Sequence, residues 1–300
     1  MKIRAAFTMI ELVFVIVIMG IIGKFGVEFL AQAYRSFIFS SVNNALHSKS
    51  AMAVEFISSR LQYRIKDSVI ARAGTAGAVT GVGSASGATF TVLEWVSTDI
   101  DGYRSTATPN WSGIIDLDHI SATNSLLISP ATDINATDSL ISTLSYGTKG
   151  VDNAALYFIG SNSDVTTDYG WNGVLGDQTG AMHPINANTG TANQFTPSVS
   201  NFTGIDIYEY YKLAWTAYAV VNADGDGDGD DDLILYYDYQ PWNGDTFLLQ
   251  ADGTATKSAI IMEDVNTFQF TAIGSIIKIQ VCANSQLVED YSLCKEKTIF

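Results

Sequence analysis

The stretch Ala6-Phe7-Thr8-Met9-Ile10-Glu11-Leu12 decides how this chain is read. A short basic leader, Met1 to Ala6, with Lys2 and Arg4, runs into an apolar segment from Phe7 to Gly23. That segment carries only Thr8 and one acid, Glu11, as polar side chains. A carboxylate in hydrocarbon costs roughly 2.5–3.5 kcal/mol on insertion scales, so an acid in such a place answers to a partner or a function. The apolar run ends at Lys24, at the short end of what a bilayer-spanning helix needs. Lys2 and Arg4 precede it, which predicts a cytoplasmic leader and a body on the far side of the membrane.

Working outward, the chain from Glu28 to Arg72 contains neither Gly nor Pro. Tyr34, Ile38, Val42, Ala45, Met52, Phe56, Ile57, Leu61, Ile65 and Val69 recur at three-and-four spacing, the signature of one helix face. Gln32, Arg35, Asn43, Lys49, Glu55, Arg60, Lys66 and Asp67 occupy the other side. The pattern predicts one long helix, membrane-spanning over residues 7–27 and amphipathic over 28–72, whose second half lies on a sheet. Gly20, Gly23 and Gly26 mark either a place where the helix loosens or a place where helices pack closely.

A basic leader, a Phe, and an acid five residues into an apolar helix together resemble the type IV pilin and type II secretion pseudopilin family. The resemblance is strong over residues 1–30 and extends to about residue 70. It implies cleavage by a prepilin peptidase between Ala6 and Phe7, N-methylation of Phe7, and a role for Glu11 in meeting the amino terminus of a neighbouring subunit in a helical fibre. The family usually has Gly before the cut. Ala6 stands there in this chain, which implies slower processing. The segment Ala53 to Arg72 is similar to minor pseudopilins of the J type and minor pilins of the W type. The implied partners are other subunits, the peptidase and an inner-membrane assembly platform, with the head in the periplasm.

Residues 73–300 read as a β-rich head. Gly74 to Ala88 is a loop rich in small residues. Strands are predicted at 89–96, 113–117, 125–128, 155–159, 212–221, 233–239, 246–249 and 259–262, and a hairpin at 267–282 turns on Ile273-Gly274. Residues 160–202 are dominated by Gly, Asn, Ser, Thr and Asp and read as a long surface excursion, a candidate binding surface. One long helix followed by strands predicts an α+β arrangement with a mainly antiparallel sheet.

Composition narrows the function. The chain has 300 residues, 47% of them hydrophobic, enough for a core. Its 31 acids against 16 bases give a net charge of −15, which argues against nucleic-acid binding. Both cysteines, Cys282 and Cys294, fall in the part expected outside the cytoplasm, where a disulfide between them is expected. No nucleophile elbow, phosphate loop or metal-spaced histidine occurs, so the chain does not read as an enzyme.

One stretch of the head carries metal chemistry. Asp224-Gly225-Asp226-Gly227-Asp228-Gly229-Asp230-Asp231-Asp232-Leu233 places acids at loop positions one, three, five and nine and Gly at six. Ca²⁺ takes six to eight oxygens, and alternate residues of a tight turn can aim carboxylates inward. Position twelve is Leu235, so the bidentate Glu of an EF-hand is missing, and a strand follows in place of a helix. The stretch resembles the calcium loops of FG-GAP and related β-rich extracellular repeats. The expected ligands are Asp224, Asp226, Asp228 and Asp232 through side chains and Asp230 through its carbonyl. Two functions are therefore expected in order: a minor fibre subunit, then a membrane-held adhesin with a calcium-stabilised head.

Overall fold

The computed structural model describes residues 8–119, 125–173, 177–188, 191–288 and 291–300. The proposed cleavage pair Ala6 and Phe7 lies outside the described residues.

A single helix, α1 (Met9–Leu61), begins the fold. It is an unbroken helix through Gly20, Gly23 and Gly26, and a side chain at any of the three would meet open space. At 1.5 Å per residue it is a rod about 80 Å long. Its apolar residues from Met9 to Phe37 are exposed, and it is long and apolar enough to cross a membrane. From Val42 onward a stripe turns inward: Val42, Leu46, Ala53, Val54, Ile57 and Leu61 are buried.

The helix stops at Leu61, not at the expected residue 72. Tyr63 and Arg64 donate their N–H groups to Arg60 and Leu61, the i−3 bonds of a tightened last turn. Arg64 also donates through Nη1 to the Leu61 carbonyl, at 2.8 Å. Beyond it the chain pairs with a strand: Ile65 N–H donates to Val96 O at 2.9 Å, and Thr98 N–H to Tyr63 O at 2.9 Å. Ile65, Val69 and Ile70 fit a helix face or a strand equally well, and tertiary pairing decides between them.

Fourteen strands follow among the described residues. In chain order the first are β1 (Ile70–Arg72), β2 (Thr80–Gly81), β3 (Val92–Ser97), β4 (Leu127–Ile128) and β5 (Ala155–Phe158). Next come β6 (Met182–Ala187), β7 (Gln194–Pro197), β8 (Tyr211–Ala214), β9 (Thr216–Ala223) and β10 (Asp232–Tyr239). The last are β11 (Lys257–Met262), β12 (Val265–Ile273), β13 (Ile276–Asn284) and β14 (Ser292–Ile299). All pairings among them are antiparallel, in three sheets ordered β11-β10-β9-β3-β1-β2, β12-β13-β14 and β4-β7-β6-β5-β8. Among the described residues the head also holds two short α-helices, α2 (Ile100–Tyr103) and α3 (Ile134–Leu144). The protein is α+β.

The inner half of α1 lies on the β12-β13-β14 sheet. Phe268, Phe270, Ala272, Ile277, Ile279, Val281 and Ala283 join the helix stripe in one cluster. The alternation along Phe268, Phe270 and Ala272 faces the core, as their period-2 spacing predicts. Polar ties edge the seam: Tyr291 Oη donates to Asn43 Oδ1 at 2.8 Å, and Lys297 Nζ to Glu55 Oε2 at 2.6 Å.

Three other expectations are corrected. The 160–202 excursion contains β6 and β7, which belong to the five-stranded sheet. Residues 246–249 are a turn closed by the single bridge Leu249–Ala255, and 113–117 contributes only the bridge Ile114–Tyr210. The 113–117 segment meets residues 209–211 through Ile115 N–H to Glu209 O and Tyr211 N–H to Gly113 O, too short a pairing to make a strand, whereas 246–249 is held by local hydrogen bonds. Thr246 Oγ1, for example, accepts from Leu249 N–H at 3.0 Å.

Candidate assembly and metal sites

Glu11 sits in the first turn of α1. Thr8 caps the helix: its Oγ1 accepts from Glu11 N–H at 3.4 Å, and Glu11 Oε2 reaches back to Thr8 N–H at 3.1 Å. Thr8 Oγ1 also donates to the same carboxylate oxygen at 3.0 Å. This capping box fixes the acid at the helix N-terminus, where the helix dipole favours negative charge. All of these groups are exposed. The box turns the carboxylate back onto the Thr8 N–H and hydroxyl.

The acidic loop joins β9 to β10 at the tip of a hairpin. Asp224, Asp226 and Asp228 come together: a carboxylate oxygen from each lies within 4.8 Å of the others. Asp224 shapes the tip, because its Oδ1 accepts from Gly227 N–H at 2.6 Å and its Oδ2 from Gly229 N–H at 3.2 Å. Gly227 and Gly229 have φ of 87° and 98°, a conformation that β-carbon-bearing residues avoid. The tip is thus folded around the Asp224 carboxylate.

The other two acids are placed differently. Asp232 is buried at the base of the hairpin, and its Oδ2 accepts from Gly225 N–H at 3.3 Å. Burial pushes its carboxyl above the ordinary aspartate range, and Asp226 and Asp228 push the same way. The Asp230 side chain turns outward to Gln286 Nε2, at 3.4 Å, so only its carbonyl is left for the loop. Three clustered exposed carboxylates suit a hard divalent cation, which would relieve their mutual repulsion. Asp232 lies at the base of the hairpin that carries this cluster.

Cys282 and Cys294 form a disulfide, as expected. Among the histidines, His47 is exposed on α1, and His183 is buried between Phe158 and Phe202, at ring distances of 4.9 and 6.3 Å. Burial lowers the His183 imidazole to about 4, so it packs as a neutral ring.

Two polar centres lie outside the sequence reading. Glu94, 1% exposed, pairs with Arg72 at 2.5 Å and accepts from Tyr239 Oη at 3.2 Å. These three residues lie on β3, β1 and β10, and only the strand order brings them together. Asp99 is buried, caps α2 by accepting from Gly102 N–H at 3.1 Å, and accepts from Trp111 Nε1 at 3.1 Å. Its position before Ile100 is an N-cap signal that could have been read.

Comparison with protein-family models, with curated proteins and with solved structures finds no match.

Proposed function

We propose that this chain is a minor subunit of a type IV pilus or a type II secretion pseudopilus. One observation supports this reading above the others: the two halves of α1 face different surroundings. The inner half is seated on its own sheet, while the outer half exposes Ile10, Leu12, Phe14, Ile16, Ile21, Phe25 and Phe29. That much exposed apolar surface calls for a bilayer before assembly and neighbouring helices after it.

In this reading a prepilin peptidase cuts between Ala6 and Phe7, and the new amine of Phe7 is methylated. Glu11 then leaves its capping box with Thr8 and pairs with the amine of a neighbouring subunit. The capping box supports that role, because it holds the acid at the helix end without committing it to a permanent partner. Lys2 and Arg4 keep the leader cytoplasmic, and the head lies in the periplasm, where the disulfide is stable. Asp224, Asp226 and Asp228 would hold Ca²⁺, with Asp232 and the Asp230 carbonyl as further donors, and the bound charge would offset the repulsion among the carboxylates at the hairpin tip. The role is structural, at the tip or initiation complex of the fibre, and involves no reaction.

The test is assembly of Glu11→Ala in cells of the source organism. The variant should insert in the membrane at the normal level and fail to enter sheared fibres or to support secretion. Wild-type incorporation would reduce α1 to a plain anchor and favour the second reading, a membrane-held binding module.

A further inference from the structure

Where α1 ends, the chain builds a cleft of about 450 Å³ between the residues after the helix, the segment around α2, and β8. Ring faces line it: Tyr63, Tyr103 and Tyr210, with Ile114 and Ile159 beside them. Tyr103, Ile114, Ile159 and Tyr210 are all exposed, so this is a wet apolar surface and not a core defect. Trp111 also lines it, its ring 4.9 Å from the Tyr103 ring at a tilt of 48°, and donates through Nε1 to Asp99.

The charge of the cleft is opposite to that of the molecule. Arg64, Lys66 and Lys212 line it in a chain whose net charge is −15. Lys66 and Lys212 have no hydrogen-bond or ion-pair partner among the described residues. The Arg64 guanidinium is 2% exposed; it donates to the carbonyls of Leu61 and Ser275, and its Nε has no partner among the described residues. Arg104, outside the lining, donates to Tyr63 Oη at 2.9 Å. The Lys212 ammonium is pulled below the ordinary lysine range by burial, and by Lys66 and Arg64, while Asp67 opposes. Asp67 is engaged elsewhere, accepting from Tyr157 Oη at 2.9 Å. Unpaired cations crowded together in a protein with an excess of acids mark a place where an anion is wanted.

The lining also selects among anions. An extended peptide adding to β8 would need free backbone groups, and those are spent: Tyr211 N–H donates to Gly113 O, Ile115 N–H to Glu209 O, Ile159 N–H to Tyr210 O and Asp99 N–H to Leu213 O. Recognition is left to side chains. The hydroxyls of Tyr103 and Tyr210 have no partner among the described residues, so each ring offers an apolar face and a polar tip. A ring with hydroxyls, a C–H face and a carboxylate matches that set, and the volume suits a ligand of one or two such rings.

We propose that this cleft binds a carboxylate-bearing saccharide, with its ring against Tyr103 and Tyr210 and its carboxylate toward Lys66 and Lys212. The site is independent of α1's exposed half and stands whether or not the helix enters a fibre.

The experiment is calorimetric titration of the full chain in detergent with digalacturonate, with a neutral digalactoside and with tri-glutamate. Digalacturonate should bind saturably and weaken with added salt, and the neutral sugar should bind at least tenfold more weakly. Lys66→Gln with Lys212→Gln should cost at least tenfold in affinity for digalacturonate at an unchanged melting temperature. Tyr210→Ala, on an exposed ring, should weaken both sugars together. The proposal is overturned by no saturable binding of digalacturonate, by equal binding of the neutral sugar, or by an unaffected lysine double variant. Tri-glutamate binding as tightly as the charged sugar would overturn it in favour of an acidic peptide.

Discussion

Cys282 and Cys294 stand directly opposite each other on β13 and β14, with 3.9 Å between their Cα atoms, and are joined by a disulfide. Directly opposed residues share a sheet face, and theirs is the face away from α1, since Ile279, Val281 and Ala283 alternate toward the helix. The bond thus braces the strands that carry the helix without touching the helix itself. Thiol titration of the denatured, unreduced protein should read zero. Cys282→Ser with Cys294→Ser should lower stability by about 2–4 kcal/mol, read by urea unfolding of the full chain. A full thiol count before reduction would contradict the pairing.

The seam between α1 and the head should be the most sensitive apolar contact. Ile57 is fully buried there. Ile57→Ala should cost about 2–5 kcal/mol, the range for a large-to-small change in a packed core. Val13→Ala, on the exposed half, should leave head stability unchanged within about 0.5 kcal/mol. Equal effects at the two positions would mean that the helix is not seated as described.

Asp99 should leave a mark on the pH dependence of stability. Burial raises its carboxyl from 3.8 to about 6, against the pull of Gly102 N–H and Trp111 Nε1. Between those values the native state holds a proton that the unfolded state has lost. Stability from this group therefore falls as pH rises from about 4 to 6, by up to about 3 kcal/mol. His183 works the other way. Its imidazole is lowered from 6.5 to about 4, so the unfolded state binds the extra proton and stability rises with pH across that window. The two partly cancel in the unmodified protein. Asp99→Asn removes one of them, so the variant should gain stability more steeply than the unmodified protein as pH rises from 4 to 6. Parallel profiles would exclude an elevated Asp99.

Calcium should stabilise the hairpin tip, whose turn Asp224 shapes by accepting from Gly227 and Gly229. A folded-state ligand contributes about 2.7 kcal/mol at a hundredfold excess over its dissociation constant. The missing twelfth ligand points to the affinity range of extracellular modules, about 10⁻⁴–10⁻³ M. The full chain in detergent should melt a few degrees higher in 10 mM CaCl₂ than in EGTA, and Asp226→Ala with Asp228→Ala should abolish the difference. An unchanged melting temperature in the unmutated protein would leave the tip a solvated acidic turn.

The long helix and the final hairpin were legible because each repeats one period over many residues. Phe268, Phe270 and Ala272 alternate without interruption, and the α1 stripe from Val42 to Leu61 keeps three-and-four spacing. The end of the helix was not legible, since Ile65 to Ile70 suit either structure and Val96 decides between them from a distant strand. Helix α3 was missed although Asp133 caps it, accepting from Ala136 N–H at 3.0 Å, and Ile134, Thr137 and Ile141 form its buried side. Strand β14 hid behind its charges: Lys295, Glu296 and Lys297 mask an alternation that ends in buried Ile299. Of the acidic loop, the clustering of Asp224, Asp226 and Asp228 followed from their spacing, but the burial of Asp232 depended on its place in β10. The cleft had no sequence signal, because Lys66 and Lys212 meet only through the packing of β8 beside the helix end.

The reading as a fibre subunit rests on what happens to the first residues of the chain, and one measurement reaches it directly. The chain should be expressed in cells with an active prepilin peptidase, extracted from membranes, and analysed by intact mass and N-terminal fragmentation. The account predicts a mature chain that has lost Met1 to Ala6 and begins at Phe7 with a methylated amine. A chain that still begins at Met1, in cells that process another prepilin normally, would contradict it.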